Sequence, residues 1–236
     1  RGVRDGNSRC THCHDLRTAE QKLYLSGDEP MPDDVLFAWP MPDVLGLRFD
    51  PRELARVREV AAGSTADNAG IKPGDDLIEL SGQPLLSIAD VQWVLQNVGA
   101  RGQLEAKVQR GNETLSVQLE LLPGWRRQTD ISWRTTTRFL REQLLDGILF
   151  RELSDSERER HSIGADEMAL QAARGVSRNS DKPIRRGDII VAVAGNSDRV
   201  SESQLLAYFA QRMKPGDQVE LTVLRNGERV SVLESR

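Results

Sequence analysis

Cys10-Thr11-His12-Cys13-His14 places two thiols three positions apart, with a histidine directly after the second. This C-x-x-C-H spacing is that of covalent haem attachment. The thiols add to the haem vinyl groups and the adjacent imidazole ligates the iron. Cys10, Cys13 and His14 are therefore the candidate haem c residues, with His14 as candidate iron ligand. Met31 and Met41, each between two prolines, are candidates for the distal position, because His12 stands too near His14 to reach the far side. The same residues admit other readings. They could form a C-x-x-C redox pair, a metal site using His12 or His14, or an unmodified dithiol. Four ligands within five residues cannot close one tetrahedral zinc site. Both cysteines of the chain lie in this motif.

A second feature is a block written twice, about 113 residues apart. Residues 71–82 read Ile-Lys-Pro-Gly-Asp-Asp-Leu-Ile-Glu-Leu-Ser-Gly, and residues 184–195 read Ile-Arg-Arg-Gly-Asp-Ile-Ile-Val-Ala-Val-Ala-Gly. That period is the size of a small domain. In the first copy, Val44 to Phe49 is an apolar run broken by Gly46, and a strand is predicted over 55–60. Ser64 can cap a one-turn helix that Gly70 ends. Pro73-Gly74-Asp75 turns into a strand over 76–80. Ser87 then caps a helix whose apolar positions Ile88, Val91, Val94 and Leu95 share a face. Alternation over 104–109 and 115–119, around Arg110-Gly111-Asn112-Glu113, predicts a hairpin.

The second copy repeats the order with Gly147-Ile148-Leu149-Phe150, strands over 168–176 and 189–193, a helix capped by Ser201, and a hairpin turning at Asn226-Gly227. It adds a charged helical stretch over 154–160. Ser177 to Lys182 replaces the short alanine-rich helix of the first copy. Trp125 and Trp133, in the stretch between the copies, predict that it packs on a surface.

The segment Gly63-Ser64-Thr65-Ala66-Asp67-Asn68-Ala69-Gly70-Ile71-Lys72-Pro73-Gly74-Asp75-Asp76-Leu77-Ile78-Glu79-Leu80-Ser81-Gly82 resembles the PDZ domains of bacterial HtrA-type periplasmic serine proteases. The resemblance covers about 80 residues, and the second copy matches from Ile184 onward. It implies an α+β fold class: two PDZ-like, partly open β-barrels or sandwiches, each with two helices, joined by a linker. The implied division is an N-terminal arm over 1–40, PDZ-like domains over 41–122 and 146–236, and a linker over 123–145.

Such domains take an extended peptide, usually a C-terminus, as an added strand. By resemblance, the carboxylate loop is Leu45-Gly46-Leu47. Arg48 and Phe49 begin the strand that pairs with the ligand. Ile88, Val91 and Leu95 wall the side-chain pocket. The first copy is expected to be the working groove. In the family, the nucleophile sits in Gly-Asn-Ser-Gly-Gly. Here Gly195-Asn196-Ser197 is followed by Asp198 and Arg199, which removes the oxyanion-hole turn, and Gly-Asn at a strand exit is also an ordinary turn. No peptidase activity is expected of this chain.

A net charge of −4 argues against a nucleic-acid partner, which favours a basic face. No apolar run approaches the roughly 18 residues of a membrane span. The chain opens Arg-Gly-Val-Arg-Asp-Gly without an apolar leader and reads as a piece of a longer protein. The combined expectation is a periplasmic or otherwise extracytoplasmic tandem PDZ protein with a haem or redox arm. The rival expectation is the regulatory region of an HtrA-like protease.

Overall fold

The computed structural model describes residues 8–175 and 183–236, with side chains from Leu16 onward. They form two compact units. One is Phe37–Thr129; the other holds the described residues up to Leu36 together with Asp130–Arg236. The larger unit starts the chain with α1 (Ser8–Ser26) and α2 (Asp33–Leu36).

The unit Phe37–Thr129 opens with a 3-10 turn, Pro42–Leu45, and runs through β1 (Leu47–Phe49), β2 (Val57–Val60), α3 (Thr65–Asn68), β3 (Asp76–Leu80), β4 (Gln83–Pro84), α4 (Ile88–Asn97), β5 (Gly102–Arg110) and β6 (Glu113–Leu121). A second 3-10 turn, Trp125–Gln128, closes it. Local chemistry fixes the helix starts. Ser64 Oγ accepts from the Asp67 amide at 3.2 Å, and Ser87 and Asp90 form a reciprocal capping box.

The β5–β6 hairpin runs in unbroken register from Gly102↔Leu121 to Arg110↔Glu113. It belongs to a sheet of order β4-β3-β5-β6, while β1 and β2 form a separate two-stranded sheet. Leu104, Ala106 and Val108 on alternate positions meet Leu47, Phe49, Val91 and Leu95 in one core. Each buried Val, Leu or Phe side chain among them contributes about 1.5–3 kcal/mol.

This unit extends beyond the expected 41–122. Trp125 lies in its core, and its indole N–H donates to the Gly99 carbonyl at 3.1 Å. Arg126 Nη2 donates to the carbonyls of Leu95, Gln96 and Val98 at 2.9, 2.8 and 2.6 Å. The stretch expected to begin a linker therefore caps the C-terminal end of α4.

The larger unit continues with α5 (Thr135–Leu144), β7 (Leu149–Glu152), α6 (Asp155–Arg160), β8 (Leu170–Arg174), β9 (Ile189–Val193), α7 (Glu202–Arg212), β10 (Gln218–Arg225) and β11 (Glu228–Ser235). Its sheet has the order β11-β10-β9-β8-β7. The helices α1 and α2, expected in a separate arm, belong to this unit. Gln211 Nε2 donates to Met31 O at 2.8 Å and to Asp33 Oδ1 at 2.7 Å, and Lys22 Nζ lies over the Phe139 ring. The helix α5, expected in the linker, buries Thr137, Leu140 and Leu144. The unit thus carries five described helices where two were expected. Ser177 to Lys182 lies outside the described residues.

One ion pair occurs in each unit at the same point of the repeated block. Arg110 grips Asp75 through Nε and Nη2, each at 2.8 Å, while Lys72 N–H donates to Asp75 Oδ2. Arg225 grips Asp188 at 2.9 and 2.6 Å, while Arg185 N–H donates to Asp188 Oδ2. Both guanidinium groups also donate to a carbonyl, of Gly70 and of Pro183 respectively.

Candidate functional site

The chemistry of the smaller unit lies in the backbone of β1. Gly46 O accepts from the Ala61 amide at 2.9 Å, and the Asp50 amide donates to Arg56 O at 2.8 Å. Both bonds face β2. Main-chain groups alternate along a strand, so those of Arg48 also face β2, and those of Leu47 and Phe49 point off the opposite edge. Among the described residues β1 pairs with β2 alone. That open edge presents two N–H donors and two C=O acceptors.

The side chains do something different. Leu45, Leu47 and Phe49 are buried in the core, while Arg48 is exposed and pairs with Glu59 at 3.2 Å. The loop residue Gly46 has φ 81 and donates its N–H to Asp43 O at 2.8 Å. That amide is therefore used inside its own turn rather than aimed outward, and the amide of Leu47 is the one on the open edge.

On α4, Val91 and Leu95 are sealed in the core and offer no surface for a pocket wall; Ile88, in the first turn, is partly buried and keeps some surface. The adjoining edge of the helix carries residues that sequence reasoning did not single out. Gln92 Nε2 donates to Trp39 O at 2.8 Å, and Gln96 Oε1 accepts from Trp39 N–H at 2.6 Å. The Trp39 ring stacks on Trp93 with centroids 6.2 Å apart. Two glutamines one turn apart thus hold both main-chain groups of one residue. Trp39 has φ 52, a conformation unfavourable for a bulky side chain, and precedes Pro40. The available signal was the i, i+4 spacing of Gln92 and Gln96 beside the apolar stripe.

A separate polar cleft of about 490 Å³ lies on the other side of Gly46, lined by Asp43, Ser64, Asn68, Gln118 and Glu120 among others.

In the larger unit, β7 is also an edge strand, but the Phe150 amide donates to Glu202 Oε1 at 2.8 Å. Ser197 sits in an exposed turn, where the Asp198 amide bonds Asn196 Oδ1 at 2.7 Å. The side chains of Cys10, Cys13 and His14 lie outside the described residues, although their backbone belongs to α1. Met31, one of the two methionines considered for a distal haem position, is 1 % exposed and sealed in the core. Among the described residues no helix is long and apolar enough to cross a membrane, and no group of three or more His, Cys, Asp or Glu could hold a metal ion.

Residues 43–121 match the family described as PDZ domain. The chain is similar to a protein named Probable periplasmic serine endoprotease DegP-like from Marinomonas sp. (strain MWYL1), with 24% identity over 175 residues. That match covers 73% of this chain and 35% of the relative, so the chain spans about a third of the relative's length. Among solved structures it is similar to the HtrA3 PDZ domain bound to a phage-derived ligand, at 25% identity and TM-score 0.28, over 32% of this chain and 81% of that one. It is also similar to the HtrA-type protease AlgW with a decapeptide, at 16% identity and TM-score 0.31, over 56% of this chain and 40% of that one.

Proposed function

We propose that the protein binds the C-terminus of a peptide or protein outside the cytoplasm, by strand addition to the open edge of β1. The observation that carries this reading is the alternation at that edge: Leu47 and Phe49 turn their N–H and C=O groups away from β2. Extended ligands bind PDZ domains through such groups. Ile88, at the N-terminal end of α4, gives a ligand side chain an apolar contact. No covalent chemistry is proposed for this edge, and Ser197 is assigned no peptidase role.

The larger unit is proposed to be a second, divergent PDZ-like module. Its support is the repeated Asp–Arg grip at Asp75–Arg110 and Asp188–Arg225, together with the extent of the DegP-like match, which reaches well beyond residues 43–121. An extracytoplasmic location is proposed on that relative's name. A second reading, the regulatory region of an HtrA-like serine protease, rests on the name of that relative alone. The C-x-x-C-H segment is proposed to carry haem through Cys10, Cys13 and His14.

The test is titration of the full chain with peptides selected from a displayed library of random sequences ending in a free carboxylate. Saturable binding that is lost on amidating the C-terminus supports the proposal. Equal binding of the amidated peptides, or none of either, contradicts it.

A further inference from the structure

β7 ends its five-stranded sheet, and an edge strand exposes groups that template a further strand. The Leu153 amide donates to Ala169 O at 3.1 Å, on the β8 side. By alternation the Phe150 amide points off the open edge. That amide is covered: Glu202 Oε1 accepts it at 2.8 Å. Arg141 on α5 holds the same carboxylate with two nitrogens, Nε to Oε1 at 2.8 Å and Nη2 to Oε2 at 2.5 Å. Arg141 Nη2 also donates to Ser132 O. Arg141 and Glu202 are 7 % and 4 % exposed.

The carboxylate thus accepts three hydrogen bonds and is buried. Glu202 is the first residue of α7, directly after the capping Ser201, where the helix dipole favours an anion. The corresponding position of α4, directly after the capping Ser87, is the apolar Ile88.

A guanidinium fork and a strand-edge amide converging on one carboxylate are the groups that would hold a peptide C-terminus or a small carboxylate ion. We infer that Arg141 and the Phe150 amide form a carboxylate-binding site, filled by Glu202 of the same chain, which shuts the β7 edge to an added strand. Because Glu202 is tethered, it competes with a free carboxylate at a high effective concentration. The smaller unit has an open β1 edge and no such carboxylate at Ile88; the larger unit is closed by its own side chain.

In the full chain, Glu202→Ala empties the site and leaves Arg141 buried without its partner, so the thermal midpoint falls. Sodium acetate or formate is expected to raise it again with increasing concentration, and sodium chloride or acetamide is not. The Phe150 amide should exchange with solvent roughly tenfold faster in the variant, and acetate should slow it again. If the variant is unfolded in chloride, acetate is expected to recover folded protein, read by circular dichroism. Rescue by acetate no greater than by chloride overturns the inference. Glu202→Gln is a second arm: it keeps an acceptor for the Phe150 amide but cannot neutralise Arg141. It should lower the midpoint, retain protection of Phe150 and show no acetate response. A Gln variant as stable as the unaltered protein would show that the charge does not fill the site.

Discussion

A Cβ placed on Gly46 would lie 2.1 Å from both the Cβ and the Oγ of Ser64. Gly46 also has φ 81, where an L side chain costs about 1–2 kcal/mol. Ser64 would have to move, weakening the cap of α3 by roughly another 1 kcal/mol. Gly46→Ala is therefore expected to destabilise the unit Phe37–Thr129 by about 2–3 kcal/mol, read by urea unfolding. A change below about 0.5 kcal/mol, the size of an ordinary surface substitution, would show that the loop relaxes freely. Loss of peptide binding in a Gly46 variant would report on the fold before it reported on the ligand.

Asp75 is 1 % exposed. Burial pushes its pKa up, but hydrogen bonds from Arg110 and the Lys72 amide, with the Arg110 charge, outweigh burial and hold the carboxyl below the usual range. The folded pKa is depressed, so this stabilisation is present above the unfolded value of about 3.9 and is lost as pH falls through the folded value. Asp75→Asn should destabilise the unit by roughly 2–3 kcal/mol at pH 7. The gap between wild type and variant should shrink as pH drops below about 4. A gap independent of pH down to acid unfolding would contradict this account.

Arg126 ties the carbonyls of Leu95, Gln96 and Val98 to the following turn, and its guanidinium lies 4.6 Å from the Trp125 ring centroid. Arg126→Ala leaves those carbonyls without this donor and is expected to cost about 2–4 kcal/mol. Amide exchange should rise first at the C-terminal end of α4. Wild-type stability in this variant would mean that residues 123–129 are the linker their sequence suggests.

Much of the fold was readable because local rules and tertiary packing agreed. Ser64, Ser87, Ser154 and Ser201 each stand at a helix start, and the alternation Leu104, Ala106, Val108 places the β5 core face. The stretch 123–145 misled because its apolar residues are sparse; Trp125, Arg126 and Arg141 are held by carbonyls and a carboxylate distant in sequence, which periodicity cannot register. Glu202 reads as an ordinary first-turn acid until Arg141 and Phe150 are brought beside it. Val91 and Leu95 could be assigned to a helix face, but sequence could not separate core from groove. Trp39 was invisible for a related reason: its partners, Gln92 and Gln96, are more than fifty residues away and act on its backbone.

Export of the full-length protein through a cytochrome-maturation pathway should give haem-stainable protein that loses the stain in Cys10→Ser and Cys13→Ser variants. Two free thiols and no stain would leave the C-x-x-C redox reading in front.

The strand-addition account is tested most directly by amide exchange along residues 46–50, with and without a saturating free-carboxylate peptide. The account predicts slowed exchange at Leu47 and Phe49, whose amides lie on the open edge, and little change at Arg48, whose amide already faces β2. Peptide binding that leaves Leu47 and Phe49 unprotected, or that protects Arg48 instead, would contradict it.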